Sequence, residues 1–232
     1  MTICYFGIFD PEYVRNRIIR KGLAANGVEG KRCTTRLRGW RKYPALLKLH
    51  RQVGEYDVML VGFPGPTVMP LAWWLARRHG KKIIFDSYNS QYHALVDIRR
   101  QASRWSLRAR VMYRRERLAC RLADVVLMDT SAHCQFMAQL YRLPLEKFKR
   151  LFVGSDLPDY FGQRPLPQKP SGKLLCHFHG GYSPFQGVDV ILRAAKRLAN
   201  QPVHFHLIGA GQEYATMRKL ADELSVRNVS FI

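Results

Sequence analysis

The chain has 232 residues, 47% of them hydrophobic, and a formal net charge of +21 from 38 Lys and Arg against 17 Asp and Glu. That length supports one large or two modest domains, and that hydrophobic content excludes a disordered chain. The uncompensated charge calls for an anionic partner: nucleic acid, an acidic membrane face or a phosphorylated substrate.

Met1 to Phe9 carries no basic stretch ahead of its apolar run, so it is not expected to be a signal peptide. Ile3 to Phe6 reads as a buried strand ending at Gly7, and Arg15 to Asn26 as a helix stopped by Asn26-Gly27. Lys31 to Lys42 is basic, with a short strand expected near Cys33. Pro44 to Val53 is then a helix and Val58 to Val61 a buried strand. The turn Gly62-Phe63-Pro64-Gly65-Pro66 follows, and Thr67 to Arg78 is helical. Val58 to Trp74 is too interrupted by Pro64, Pro66 and Pro70 to read as a membrane span. Lys82 to Phe85 is a strand running into Asp86-Ser87-Tyr88-Asn89-Ser90. A long helical region, with room for a break, extends from Tyr92 to Leu122. Val125 to Met128 is a strand, Ser131 to Tyr141 a helix, and Phe148 to Val153 a strand closing at Gly154-Ser155-Asp156.

Pro158 to Gly172 carries four prolines and few apolar residues, and reads as a linker between a first domain over 1–157 and a second beginning at 173. In the second, strand Leu174 to Phe178 leads into His179-Gly180-Gly181 and on through Gln186-Gly187. Val188 to Ala199 follows as a helix with Val188, Ile191, Leu192, Ala195 and Leu198 on one face. A glycine pair between strand and helix lets backbone approach a ligand, and the helix N-terminus favours a negative group such as phosphate. Strand Val203 to Ile208, helix Gln212 to Leu224 and strand Val229 to Ile232 complete the chain. The alternation of strand and helix predicts parallel sheets with helices on both faces, where ligands gather at the carboxyl ends of the strands. Three strands and two helices are half of a doubly wound unit, so the sequence is expected to be truncated inside its second domain.

Several patterns point to other chemistry more weakly. Gly209-Ala210-Gly211 suggests a dinucleotide-binding turn, but Tyr214 stands where its third glycine belongs. His177 with His179, and His204 with His206, are spaced to share strand faces and could bind metal. No acidic or cysteine partner accompanies them, so packed or hydrogen-bonded histidines are the favoured reading. Cysteines 4, 33, 120, 134 and 176 are odd in number and widely spaced, which argues for reduced thiols in a cytoplasmic protein. Asp86 to Ser90 and Asp129-Thr130-Ser131 serve equally as caps or as polar ligand groups. Between Asp97 and Arg121 lie nine arginines against Asp97 and Glu116, with Trp105, Leu107, Val111 and Leu118 interleaved. Such a basic, apolar helix suits an acidic membrane surface, with nucleic acid the less favoured partner. Arg100, Arg104, Trp105 and Arg108 are the expected contacts.

Taken together the chain resembles the retaining glycosyltransferases of family 4. The resemblance is carried by Tyr5-Phe6-Gly7-Ile8-Phe9-Asp10-Pro11 with Arg15-Asn16-Arg17, Val61-Gly62-Phe63-Pro64-Gly65, Phe85 to Ser90, Ala123 to Thr130, Phe152 to Asp156, His179-Gly180-Gly181 through Asp189, and Leu207 to Gly211. It implies a GT-B fold of two Rossmann-like α/β domains facing across a cleft, with the N-terminal domain complete and the C-terminal domain about half present. It further implies transfer of a sugar, with retention, from a nucleotide diphosphate-sugar to a glycan or lipid-linked acceptor, without metal or other cofactor. Gly180 and Gly181, with His179, Gln186 and Gly187, would meet the donor. Gly7, Arg15, Asn16, Tyr88, Asn89 and Ser90 would face the diphosphate and acceptor from the other side. No catalytic residue is assigned. Two departures stand out: the phosphate-neutralising lysine of many members is Gln186 here, and the paired-glutamate donor motif would fall beyond Ile232. The expectation is therefore an inactive fragment of a cytoplasmic enzyme, peripheral on the inner membrane face. The alternative is a non-catalytic basic module that binds acidic membrane or nucleic acid.

Overall fold

A computed structural model describes residues 1–154 and 172–232, so the expected linker falls almost wholly outside the described residues, as do Ser155 and Asp156. The described residues group into two compact units, one of residues 1–94 with 102–154, the other of 172–232 with Leu95–Gln101.

The first unit runs β1 (Thr2–Gly7), α1 (Val14–Ala25), β2 (Glu29–Thr34), α2 (Lys42–Val53), β3 (Val58–Val61), α3 (Met69–Arg78), β4 (Lys82–Tyr88), the single turn α4 (Gln91–His93), α5 (Leu107–Leu122), β5 (Val125–Met128), α6 (Ser131–Tyr141) and β6 (Phe148–Arg150). Its six strands are all parallel, in the order β2-β1-β3-β4-β5-β6. Alternation along the strands feeds two cores. Cys4, Phe6, Met59, Val61, Phe85 and Val126 pack with residues of α2, α3, α5 and α6. Ile3, Tyr5 and Leu60 pack with Ile19 and Leu23 of α1. Helices thus cover both faces, as the alternating pattern predicts. The chain turns to opposite sides after β1 and after β3, which makes their carboxyl ends the topological switch point.

The long helical region splits. After α4 comes a π-helical turn, Ala94–Ile98, and then irregular chain in which Arg100 takes a left-handed φ of 50°. Helix restarts only where the Ser106 hydroxyl accepts from Ala109 N at 3.2 Å. β6 ends at Arg150, three residues short of expectation; the last backbone bond to β5 runs from Leu151 N to Met128 O.

The second unit contains β7 (Leu174–His179), α7 (Val188–Arg197), β8 (Val203–Ile208), α8 (Tyr214–Glu223) and β9 (Val229–Phe231), its strands parallel in chain order. Tyr182, Val188, Leu192, Ala195, Phe205, Leu207 and Met217 form its core. His177 opposes His206 in register, their rings 5.0 Å apart, and His204 Nε2 lies 2.8 Å from Ser230 Oγ. These are packed and hydrogen-bonded histidines, and among the described residues no three His, Cys, Asp or Glu are grouped to hold a metal ion. All five cysteines are free thiols, and no helix among the described residues is long and apolar enough to cross a membrane.

His50, on the inner side of α2, is buried, with Nε2 3.0 Å from Tyr56 Oη and the His79 ring 5.5 Å away. Burial first, then the neighbouring His79, holds its pKa below the ordinary 6.5. The unfolded chain therefore takes up that proton more readily, so the stability from neutral His50 is present above about pH 6.5 and is lost as pH falls toward the folded-state value. Urea unfolding at a series of pH values should show stability dropping from pH 7 to pH 5. His50→Phe should flatten that slope.

Candidate functional site

The carboxyl ends of β1 and β3 are drawn together by residues with no room for larger ones. A Cβ at Gly62 would lie 2.6 Å from the Phe9 ring, and one at Gly65 2.8 Å from the Gly62 carbonyl. Gly7, at φ 145°, makes the turn out of β1 and would bring a Cβ to 3.3 Å from the same Phe9 ring. Phe9 is buried beneath both loops. Asn16 ties them: its Nδ2 donates to Asp10 O at 2.9 Å and to Phe63 O at 3.1 Å.

Arg15, beside it in the first turn of α1, crosses to the end of β4. Its Nε lies 3.0 and 2.8 Å from the two Asp86 carboxylate oxygens, its Nη2 lies 2.7 Å from Oδ1, and its Nη1 donates to Leu151 O at 3.3 Å. Arg15 is 5% and Asp86 0% exposed. Burial pushes the Asp86 carboxyl above its ordinary value, against the opposing pull of Arg15. Both side chains are held by internal partners, Arg15 by Asp86 and Leu151 O, Asn16 by Asp10 O and Phe63 O, so they fix the backbone around the site.

That surface is aromatic. Tyr88 has a strained left-handed φ of 58°, its ring 4.7 Å beneath the Arg15 guanidinium carbon and 5.3 Å from Phe63, which in turn lies 6.1 Å from the exposed ring of Tyr13. Asn89 is exposed next to it. Ser90 is not: its hydroxyl accepts from His93 N at 3.0 Å and donates to Glu116 Oε2 at 2.8 Å. Glu116, which in the sequence looks like a stray counter-charge on an arginine helix, is buried and also accepts from Gln91 N, Tyr92 N and Tyr141 Oη. Burial and this carboxylate push the Tyr141 hydroxyl far above its ordinary pKa, keeping it a donor. The acid anchors the start of α4 and with it the Tyr88–Asn89 turn.

A second feature escaped the sequence reading. Asp129, at the end of β5, hydrogen-bonds His133 Nδ1 one helical turn on in α6. The raised pKa of Tyr88, due mainly to burial, also registers the Asp129 charge. A carboxylate-oriented imidazole at the sheet's carboxyl edge can accept or deliver a proton through its other nitrogen. Its only signal in the sequence is the spacing Asp-x-x-x-His across a strand–helix junction.

In the second unit the glycines serve backbone-to-backbone approach. A Cβ on Gly209 (φ 136°) would lie 2.0 Å from Gly180 O, and one on Gly211 2.5 Å from Tyr182 N. Gly180 N donates to Ile208 O, Tyr182 N to Ala210 O, and Glu213 N to Tyr182 O. Gly209 and Gly211 are thus packing residues, which explains the incomplete dinucleotide motif. The opposite side of the loop is open: His179, Gly181 and Gln186 are exposed, and Gly187 at φ 67° starts α7. Free N–H groups at that helix start suit an anion.

Comparison with known proteins shows the fold. No protein-family model matches the chain. One stretch is 31% identical over 62 residues to the putative colanic acid biosynthesis glycosyl transferase WcaI of Escherichia coli K12, covering 27% of this chain and 15% of that protein. Among solved structures, Anabaena Alr3699/HepE in complex with UDP and glucose matches all of this chain and 69% of its own at a TM-score of 0.61 and 14% identity. The lipopolysaccharide outer core galactosyltransferase WaaB matches at 0.62 and 12%, and the lipopolysaccharide-biosynthesis glycosyltransferase WaaG at 0.59 and 18%, over 67% and 69% of those chains. The chain has the GT-B α/β fold.

Arg15→Met strands a buried carboxylate, so urea unfolding at pH 7 should show a loss of about 3–5 kcal/mol. That loss should shrink as pH falls and Asp86 protonates. Arg15→Met combined with Asp86→Leu should recover most of it.

Proposed function

We propose that the chain belongs to a glycosyltransferase that moves a sugar, with retention, from a nucleotide diphosphate-sugar to a glycan or lipid-linked acceptor in surface polysaccharide synthesis. The observation that carries this reading is the GT-B fold, followed along the whole chain by a structure that holds UDP and glucose. The donor diphosphate sits at Gly180-Gly181 and the start of α7, where backbone N–H groups stabilise the departing phosphate. Gln186 supplies a neutral amide there. The Tyr13–Phe63–Tyr88 surface holds the acceptor side, and no metal is required.

Calorimetric titration with UDP and UDP-glucose tests this. Both should bind, Gly181→Val should abolish binding by filling the phosphate position, and Gln186→Lys should tighten it about fivefold through an added charge-assisted contact. Absence of UDP binding at millimolar concentration, with oligonucleotide or vesicle binding intact, would instead favour a non-catalytic basic module.

The enzyme works at the inner membrane face. Trp105 and Leu107 are 73% and 77% exposed, amid Arg100, Arg104 and Arg108. An apolar pair flanked by cations lies at the boundary between headgroups and acyl chains. Flotation with phosphatidylglycerol vesicles should show binding that falls steeply with salt and is lost in Trp105→Ala. Unchanged binding in that variant would refute this placement.

A further inference from the structure

Away from the switch point, the first unit has a groove of about 840 Å³ along the seam of α5 and α6. Six arginines line it and no carboxylate does: Arg104 before α5, Arg110, Arg114, Arg117 and Arg121 along it, and Arg142 at the end of α6. The spacing of the four α5 arginines puts them on one face of the helix, spanning about 16 Å from Arg110 to Arg121. Glu116, the one acid of α5, points the other way and is held by four donors. No ion pair neutralises the six arginines among the described residues. Arg117 alone is anchored, its Nε donating to Tyr141 O at 2.9 Å. The strands set the direction: α5 begins on the carboxyl side of the sheet, after β4, and ends on the amino side, before β5. The groove therefore leads away from the edge that carries Tyr88 and Asp129.

We propose that this groove binds an extended acidic glycan, its carboxylate or phosphate groups taken by successive arginines. The anion site rests on the groove itself; the choice of a glycan rests on the sugar-transfer function proposed above. A planar guanidinium grips a carboxylate or phosphate bidentately, and a row of them selects a chain with repeated anionic groups over a single ion. Two other occupants fit less well. Single-stranded nucleic acid needs a succession of free rings for its bases. Here Tyr113 is tied to Leu140 O at 2.9 Å and stands edge-on to Tyr92 at 5.4 Å, which leaves Trp105, at one end, as the exposed ring. A bilayer needs a broad apolar surface, but among six arginines the exposed apolar side chains of the lining are Trp105 and Leu118, and the exposed Leu107 and Val111 lie outside it.

The test is direct binding of a galacturonic acid hexamer to the full chain, with a neutral maltohexaose, oligothymidylate and phosphatidylglycerol vesicles as competing probes. The acidic hexamer should bind and the neutral one should not. Arg114→Ser with Arg121→Ser, both exposed and outside the internal hydrogen bonds described, should weaken hexamer binding about tenfold or more. Arg32→Ser with Arg51→Ser, the same loss of charge at the far edge of the sheet, should change it less than about twofold. Replacing Arg114 and Arg121 by lysine should recover only part. Equal losses in both double-serine variants would overturn the proposal, as would groove-dependent binding of oligothymidylate or vesicles that is tighter than that of the hexamer. UDP titration of the same samples separates the two readings. UDP binding without groove-dependent glycan binding sinks only the groove assignment, whereas groove-dependent glycan binding without UDP binding sinks the sugar-transfer reading.

Discussion

The Arg15–Asp86 pair organises the first unit. It joins the first turn of α1 to the end of β4, two elements 71 positions apart in sequence, and adds a bond to the backbone just past β6. Both groups lie out of water, where an ion pair is held only if its hydrogen bonds are satisfied. Three contacts to one carboxylate and one to a carbonyl meet that demand. The guanidinium also caps the ring of Tyr88, so a single interaction holds both the start of α1 and a residue with a left-handed φ at the site. Its neighbour Asn16 closes the β1 and β3 loops by the same logic, fixing their backbone through two carbonyls.

Glu116 has a parallel role on the next turn of chain. A helix with nine basic neighbours in its segment uses its acid inward, where two backbone N–H groups, a serine and a tyrosine receive it. One side of α5 is thereby bound to the interior, and the outer side carries arginines with no acid among them. The charge that dominates the composition is not spread evenly; much of it is ranked along one groove because its natural counter-ion is occupied elsewhere.

In the second unit the demand is steric. Two strand–helix loops approach so closely that Gly209 and Gly211 have no space for a Cβ against Gly180 and Tyr182. The contact turns one side of the His179–Gly187 loop toward its own protein and the other toward solvent. Gly181 and the start of α7 are what remain available to an anion, and Gln186 stands beside them without a charge.

Periodicity and turn chemistry in the sequence were enough to establish the parallel α/β architecture, the strands and the glycine turn before α7, because these are local properties of apolar spacing and backbone freedom; the helical region over 92–122 was legible, but where it breaks was not. The placement of Gly7, Tyr88 and Asn89 at a carboxyl edge followed from their positions at the ends of strands in an expected parallel sheet. What tertiary structure alone decided is which polar groups face inward. The sequence marks Arg15, Asp86, Ser90 and Asp129 as candidate polar groups but not their pairing with one another, with Glu116 or with His133, and Gly209 and Gly211 look like a ligand motif. Their roles depend on partners brought together by folding, and on the cost of leaving a charge or a Cβ where neither water nor space is available.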